Sequence, residues 1–169
     1  MRSNSRRTRP ARARVEPGNR CKKQTMEETK RSGSPLERVR LLEFPKICDP
    51  RGNLSFAEGA RHVPFPIRRV FYIYDVPGGE TRGGHAHKEC SIALIAVAGS
   101  FEVRLTDGKA ERTVRLDRAN KGVLIPPGVW DTMHDFTTGT VALALASHPY
   151  EEEDYIRDYD EFLSYAASL

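Results

Sequence analysis

The sequence predicts an all-β jelly roll closed by one short C-terminal helix. Three observations lead there. Apolar stretches of strand length recur from residue 36 to residue 147, each ended by Gly, Pro or Asp-Gly turn chemistry. Where the pattern is cleanest it has a period of two: Phe101, Val103 and Leu105 alternate with Glu102, Arg104 and Thr106. Helical spacing is confined to residues 158–167. Short strands at close spacing, with no long amphipathic helix to cover a parallel sheet, make a sandwich or barrel of two sheets.

Taken in order, residues 38–44 form the first predicted strand. The turn Asp49-Pro50-Arg51-Gly52 leads to a second over 53–58, and Pro64-Phe65-Pro66 interrupts the chain. Residues 69–76 are rich in aromatic and β-branched side chains, which suit a pleated surface, and Pro77-Gly78-Gly79 breaks them. Residues 91–98 are almost continuously apolar, as in a strand covered on both faces. Gly99 opens the strand over 100–106, Asp107-Gly108 makes a hairpin, and residues 112–116 return. A strand over 122–126 ends in Pro126-Pro127-Gly128, and residues 140–147 alternate Val141, Leu143 and Leu145 with alanines. Tyr159, Phe162 and Tyr165-Ala166 then recur at helical spacing behind an acidic start.

Charge divides the chain of 169 residues into two parts. Residues 1–35 carry eight Arg and three Lys against three Glu, so the remainder is net acidic although the whole chain is +4. This basic tail is nearly free of large apolar residues and is expected to be disordered, because it cannot bury enough surface to offset its ordering entropy. No aromatic residue interleaves its arginines, which argues against a nucleic-acid arm, and Met26 is an alternative initiator. Residues 36–169 are read as one domain. No apolar run approaches the 18 or so residues of a membrane span, and no apolar h-region follows the basic start. Cys21, Cys48 and Cys90 show no CxxC spacing and are read as reduced thiols. These features predict a cytoplasmic protein with neither nucleic acid nor membrane as partner.

The chemistry centres on Arg82-Gly83-Gly84-His85-Ala86-His87-Lys88. Histidines at i and i+2 of a strand project from one face, so two groups that titrate near neutrality share one wall. Metal ligation and proton transfer are the two uses of such a pair. In jelly rolls of the cupin type, metal sites have the form G-x5-H-x-H-x3–4-E-x6-G, followed by a histidine three residues past P-x-G. Gly79, His85, His87 and Gly99 fit the first pattern, but Ser91 and Ile92 stand where its glutamate belongs and Asp131 stands for the later histidine. Glu89 leaves a rearranged site conceivable, yet the incomplete ligand set favours proton transfer at carbon beside a carbonyl. Arg82, beside the Gly-Gly turn, is a candidate to anchor a phosphate or polarise an oxyanion. Cys90 is read as a small buried strand residue.

Several segments together resemble the bacterial sugar-nucleotide 3,4-ketoisomerases that act on dTDP-4-dehydro-6-deoxyglucose. They are Asp49-Pro50-Arg51-Gly52, Pro64-Phe65, the run from Arg68 to Ile73, Arg82 to Lys88, Asp107-Gly108, Trp130 with Met133 and Phe136, and Asp154-Tyr155-Ile156-Arg157-Asp158-Tyr159. The resemblance implies a cupin fold, a homodimer, and an isomerase that uses no metal or other cofactor. It further implies a dTDP-linked 4-keto-6-deoxy sugar as substrate, His85 and His87 in the active site, and an active-site tyrosine that maps to Tyr72. On this basis His87 is assigned as the proton shuttle, His85 as its partner or second acid, and Tyr72 as the hydrogen-bond donor to the oxyanion. Arg82 is assigned to the pyrophosphate or sugar oxygens and Trp130 to stacking on thymine or capping the sugar. Lys88 and Arg157 are further phosphate candidates, with Arg69 behind them. Gly84 and Asp131 depart from the family pattern at the pocket. Two alternatives stay open: a sugar-nucleotide 3,5-epimerase, and a non-catalytic sugar-binding or regulatory cupin.

Overall fold

The computed structural model describes residues 33–169. The expected disorder of the basic tail falls on residues outside that range, apart from its last three positions. Those three belong to the body: Ser34 caps a single 3-10 turn, Pro35–Arg38, through a reciprocal capping box with Glu37. Twelve strands and one helix follow: β1 (Arg40–Glu43), β2 (Lys46–Ile47), β3 (Leu54–Ser55), β4 (Arg69–Tyr74), β5 (Arg82–His87), β6 (Ile92–Ala98), β7 (Phe101–Thr106), β8 (Glu111–Leu116), β9 (Lys121–Ile125), β10 (Trp130–His134), β11 (Val141–Ala146), β12 (Tyr155–Ile156) and α1 (Tyr159–Ala166).

The strands form two facing five-stranded sheets, β1-β9-β6-β11-β4 and β12-β5-β10-β7-β8, beside the small ribbon β2-β3. All their pairings are antiparallel. This is the jelly roll read from the sequence.

The core lies between the sheets. Ile92, Leu94 and Ala96 from β6 meet Phe101, Val103 and Leu105 from β7, all buried. The alternate residues of β6, Ala93 and Ile95, are buried too, because Phe44, Val63 and Phe65 cover the outer face of the first sheet. That double cover explains the unbroken apolar run. On the outer face of the second sheet, α1 sets the fully buried Phe162 against Ala86, Ile156 and Trp130. Asp158 caps this helix by accepting from the Glu161 amide at 2.8 Å.

Three elements differ from the sequence reading. The strand expected over 53–58 pairs only at Leu54 and Ser55, with β2 as its unforeseen partner. Strand β10 was not foreseen because Asp131 stands at one of its buried positions, beside Met133, and breaks the apolar alternation. Strand β12 is two residues long and follows the acidic run Glu151–Asp154, which reads as solvated charge. Among the described residues no helix is long and apolar enough to cross a membrane.

Candidate active site

Strand β5 runs between β12 and β10, and its register sets the site. His87 lies opposite Tyr155, Ala86 lies between Ile156 and Trp130, and His85 lies opposite Asp131. Alternation therefore sends His85, His87 and Asp131 to the barrel interior, and Ala86 and Trp130 to the helix side. The two imidazoles meet edge to face with centroids 5.1 Å apart.

Ahead of the histidines β5 bulges. The register skips Gly84, and Gly83 and Gly84 both take positive φ, 83° and 71°. Gly83 has a second reason to lack a side chain: a Cβ there would come within 2.7 Å of Asp131 Oδ2.

The histidines have different carboxylate partners. His87 is almost wholly buried, and its Nδ1 lies 2.6 Å from Asp154 Oδ2. Asp154 Oδ1 accepts the amides of Glu89 at 2.6 Å and Cys90 at 3.3 Å. Burial opposes ionisation of Asp154, but the Glu89 amide and the His87 hydrogen bond outweigh it and hold the carboxyl below its usual range. An ionised Asp154 makes Nδ1 the donor and leaves Nε2 as the lone-pair nitrogen. That Nε2 is buried and has no partner among the described residues. Desolvation overrides the attraction of Asp154 and lowers the His87 pKa to about 4, so the ring is neutral at physiological pH.

His85 has a looser arrangement. Its Nε2 lies 3.9 Å from Asp131 Oδ1, and its buried Nδ1 has no partner among the described residues. Burial pushes the Asp131 carboxyl up to about 6, with His85 pulling the other way.

A cavity of about 460 Å³ opens over these groups. Phe71, Ile73, Ile92 and Leu94 line it from one sheet; His85, His87, Asp131 and Met133 line it from the other. Arg82 and Arg157 border it, and both are exposed. The Arg157 guanidinium lies 4.4 Å over the Tyr155 ring and makes two hydrogen bonds to Glu152, at 2.7 and 3.0 Å. Arg157 and then Tyr150 hold the Glu152 carboxyl at about 2. The Tyr155 ring packs 4.4 Å from His87, and its hydroxyl accepts from Arg69 Nη2 at 3.1 Å. Arg69 thus reaches the site from the opposite sheet.

Three sequence assignments need correction. Tyr72 borders the cavity, but it stands with Val70 and Tyr74 on the exposed face of β4 and is 63% exposed, whereas Phe71 and Ile73 pack on the core. Its ring neighbours Tyr74, at 5.8 Å. Trp130 packs edge-on against Tyr159 at 5.0 Å and against Phe162 at 5.4 Å, away from the cavity. Lys88 turns to the Glu153 carbonyl, which it reaches at 3.0 Å, and lies outside the cavity. Asp154, Tyr155 and Arg69 surround His87 without having been assigned those places from the sequence. The Asp154-Tyr155 pair in the acidic run was the available signal.

A ring nitrogen of His87, Cys90 Sγ and an Asp154 oxygen lie within 4.8 Å of one another, a spacing that a cation site would need. These donors are already engaged: Nδ1 with Asp154, the other Asp154 oxygen with two amides, and Cys90 Sγ with the Ser91 carbonyl at 3.5 Å. The trio suits orienting an imidazole better than holding a metal.

A cupin-like jelly roll with paired histidines on an inner strand is the class that fold and site define. Within it, the chain belongs to the FdtA family (WxcM-like, C-terminal), whose model matches residues 37–167. It is 43% identical over 130 residues to the TDP-4-oxo-6-deoxy-alpha-D-glucose-3,4-oxoisomerase of Aneurinibacillus thermoaerophilus, covering 77% of this chain and 94% of that protein. A mutant of the 3,4-ketoisomerase QdtA from Thermoanaerobacterium thermosaccharolyticum, solved with TDP-4-keto-6-deoxyglucose, superposes with a TM-score of 0.76 at 42% identity, over 77% of this chain and 94% of that one. The WlaRB TDP-quinovose 3,4-ketoisomerase from Campylobacter jejuni gives a TM-score of 0.72 at 40% identity, over 76% and 98% of the two chains.

Proposed function

We propose that this protein is a TDP-sugar 3,4-ketoisomerase, which moves the ketone of a dTDP-linked 4-keto-6-deoxyhexose from C4 to C3 through an enediolate. The observation that carries this reading is His87. It is a neutral, desolvated imidazole with Nδ1 fixed by Asp154 and Nε2 without a partner among the described residues, on the wall of a cavity of sugar size. The C4 carbonyl acidifies the C3 proton, His87 Nε2 removes it, and the resulting imidazolium returns a proton at C4. His85 is the partner or second acid. The apolar wall of Phe71 and Ile73 faces the hexose, and Arg82 and Arg157 at the border are the cations for the pyrophosphate.

A second copy of the chain is the expected partner, giving a homodimer. Val70, Tyr72 and Tyr74 form an exposed apolar row on β4, which is an edge strand of its sheet, and this row supports that reading. Residues 36–169 are proposed to form the catalytic domain.

The test is to incubate the protein with dTDP-4-dehydro-6-deoxyglucose in deuterated water and follow the sugar by NMR. The ketoisomerase yields a 3-keto product. An epimerase would label C3 and C5 with the ketone unmoved, and a binding module would leave the sugar unchanged.

A further inference from the structure

Moving a ketone between neighbouring carbons relocates two hydrogens, not one. The hydrogen on C3 must reappear on C4, and the hydrogen on O3 must reappear on O4. His87 accounts for the first transfer under the ketoisomerase reading, on which this inference rests. The second needs a group that can give a proton to one oxygen and take one from its neighbour.

A carboxylic acid has that pair of functions on adjacent atoms. Asp131 is the one carboxyl among the described residues that line the cavity. It is buried, and its closest approach to His85 is 3.9 Å, too long for a hydrogen bond. Unlike Asp154, it receives no amide hydrogen bond among the described residues, so nothing there commits its oxygens. Gly83 keeps the space beside Oδ2 clear, because any side chain at that position would strike the carboxyl.

We infer that Asp131 is a further catalytic residue, which carries the hydroxyl proton between O3 and O4 of the sugar while His87 carries the carbon proton. The cycle starts with Asp131 protonated and His87 neutral. The C3–H bond breaks to His87 Nε2 and its electron pair forms the C3–C4 double bond. The C4 carbonyl π pair moves to O4, which takes the Asp131 proton. The enediol now faces imidazolium and carboxylate. In the second half the O3–H proton passes to Asp131, the C3 carbonyl forms, and His87 returns its proton to C4. Both residues end as they began. Burial raises the Asp131 carboxyl to about 6, which brings its protonated form within reach near neutral pH.

The test uses the full chain and its Asp131→Asn variant with dTDP-4-dehydro-6-deoxyglucose in deuterated water. NMR reads two rates: deuterium entering C3 of the unreacted substrate, and appearance of the 3-keto sugar. The amide can donate at O4 but cannot take up the O3 proton. Ketone migration is expected to fall at least ~100-fold while C3 exchange falls less than ~10-fold. An equal fall in both rates, or an unchanged rate of migration, would overturn the assignment. A wild-type protein that carries out neither reaction would instead overturn the ketoisomerase reading itself.

If the variant does not fold, the wild-type pH profile decides. Among the described residues, the charged or titratable groups around the Asp131 cavity are His85, His87 and Arg82 from β5, Tyr72 and Arg69 from β4, Tyr155 from β12 and Arg157 beyond it; Leu105 of β7 and the facing Phe71, Ile73, Ile92 and Leu94 add none. The cycle needs His87 neutral and Asp131 protonated, so kcat/KM should rise through about 4 and fall above about 6. A value flat from pH 5 to roughly 9 would overturn the assignment.

Discussion

The two histidine–carboxylate pairs of β5 use the same residue types, and their carboxyls shift in opposite directions. At His87 the carboxylate sits 2.6 Å away and is tied down by two backbone amides, so Asp154 stays ionised and the imidazole keeps its Nδ1 proton. At His85 the carboxyl lies 3.9 Å away with no amide on it among the described residues, and burial draws it toward its neutral form. Amide donors near a buried carboxylate stabilise its charge, and without them desolvation wins. The first pair is built to hold a base in one tautomer. The second keeps a transferable proton near neutral pH.

Breaking both pairs at once should have the largest effect. The double variant His85→Asn, His87→Asn is expected to lose ketoisomerase turnover by roughly 10³-fold or more while keeping its fold, as read by kcat and circular dichroism. Asp154→Asn keeps the volume but can donate to Nδ1 and favour the wrong tautomer, so kcat should fall about 10²-fold. It should also lower the thermal midpoint, because an amide oxygen accepts the Glu89 and Cys90 amides less strongly than a carboxylate.

The Asp131 pair yields a stability effect of opposite sign. A carboxyl whose folded pKa is raised contributes stability below its unfolded value of 3.8, and that contribution is lost as pH rises through about 6. Asp131→Asn should therefore be more stable than wild type at pH 8, by about 1–3 kcal/mol, and the difference should vanish near pH 4. Chemical denaturation at the two pH values reads this directly. The smallest effect belongs to the outer face of β4. Tyr72→Phe should leave kcat and KM within about twofold, since Tyr72 stands on the exposed face with Val70 and Tyr74 and such surface changes are close to neutral.

The contrast between the pairs also shows what a sequence can disclose. The double-sheet architecture was legible because strands such as β7 and β11 obey a period of two between glycine breaks, and the shared face of the histidines because they stand at i and i+2. Alternation groups Val70, Tyr72 and Tyr74 on one face but does not say which face, and the intervening Phe71 and Ile73 are equally apolar. That ambiguity misplaced Tyr72. Trp130 was misplaced for a related reason: Phe162, far along the chain, needs an aromatic partner on the outer sheet. Asp154 was hidden by its company, since the last residue of Glu151–Asp154 looks solvated until β12 pairs with β5 and brings it beneath His87. The two-residue pairing that does this leaves almost no periodic signal.

The measurement that bears most directly on the central claim is deuterium entry at C3 of dTDP-4-dehydro-6-deoxyglucose, catalysed by the folded His87→Asn protein. If His87 Nε2 is the group that takes the carbon proton, that exchange falls to the rate of the uncatalysed sugar. Exchange at the wild-type rate would contradict the account and move the base to another residue.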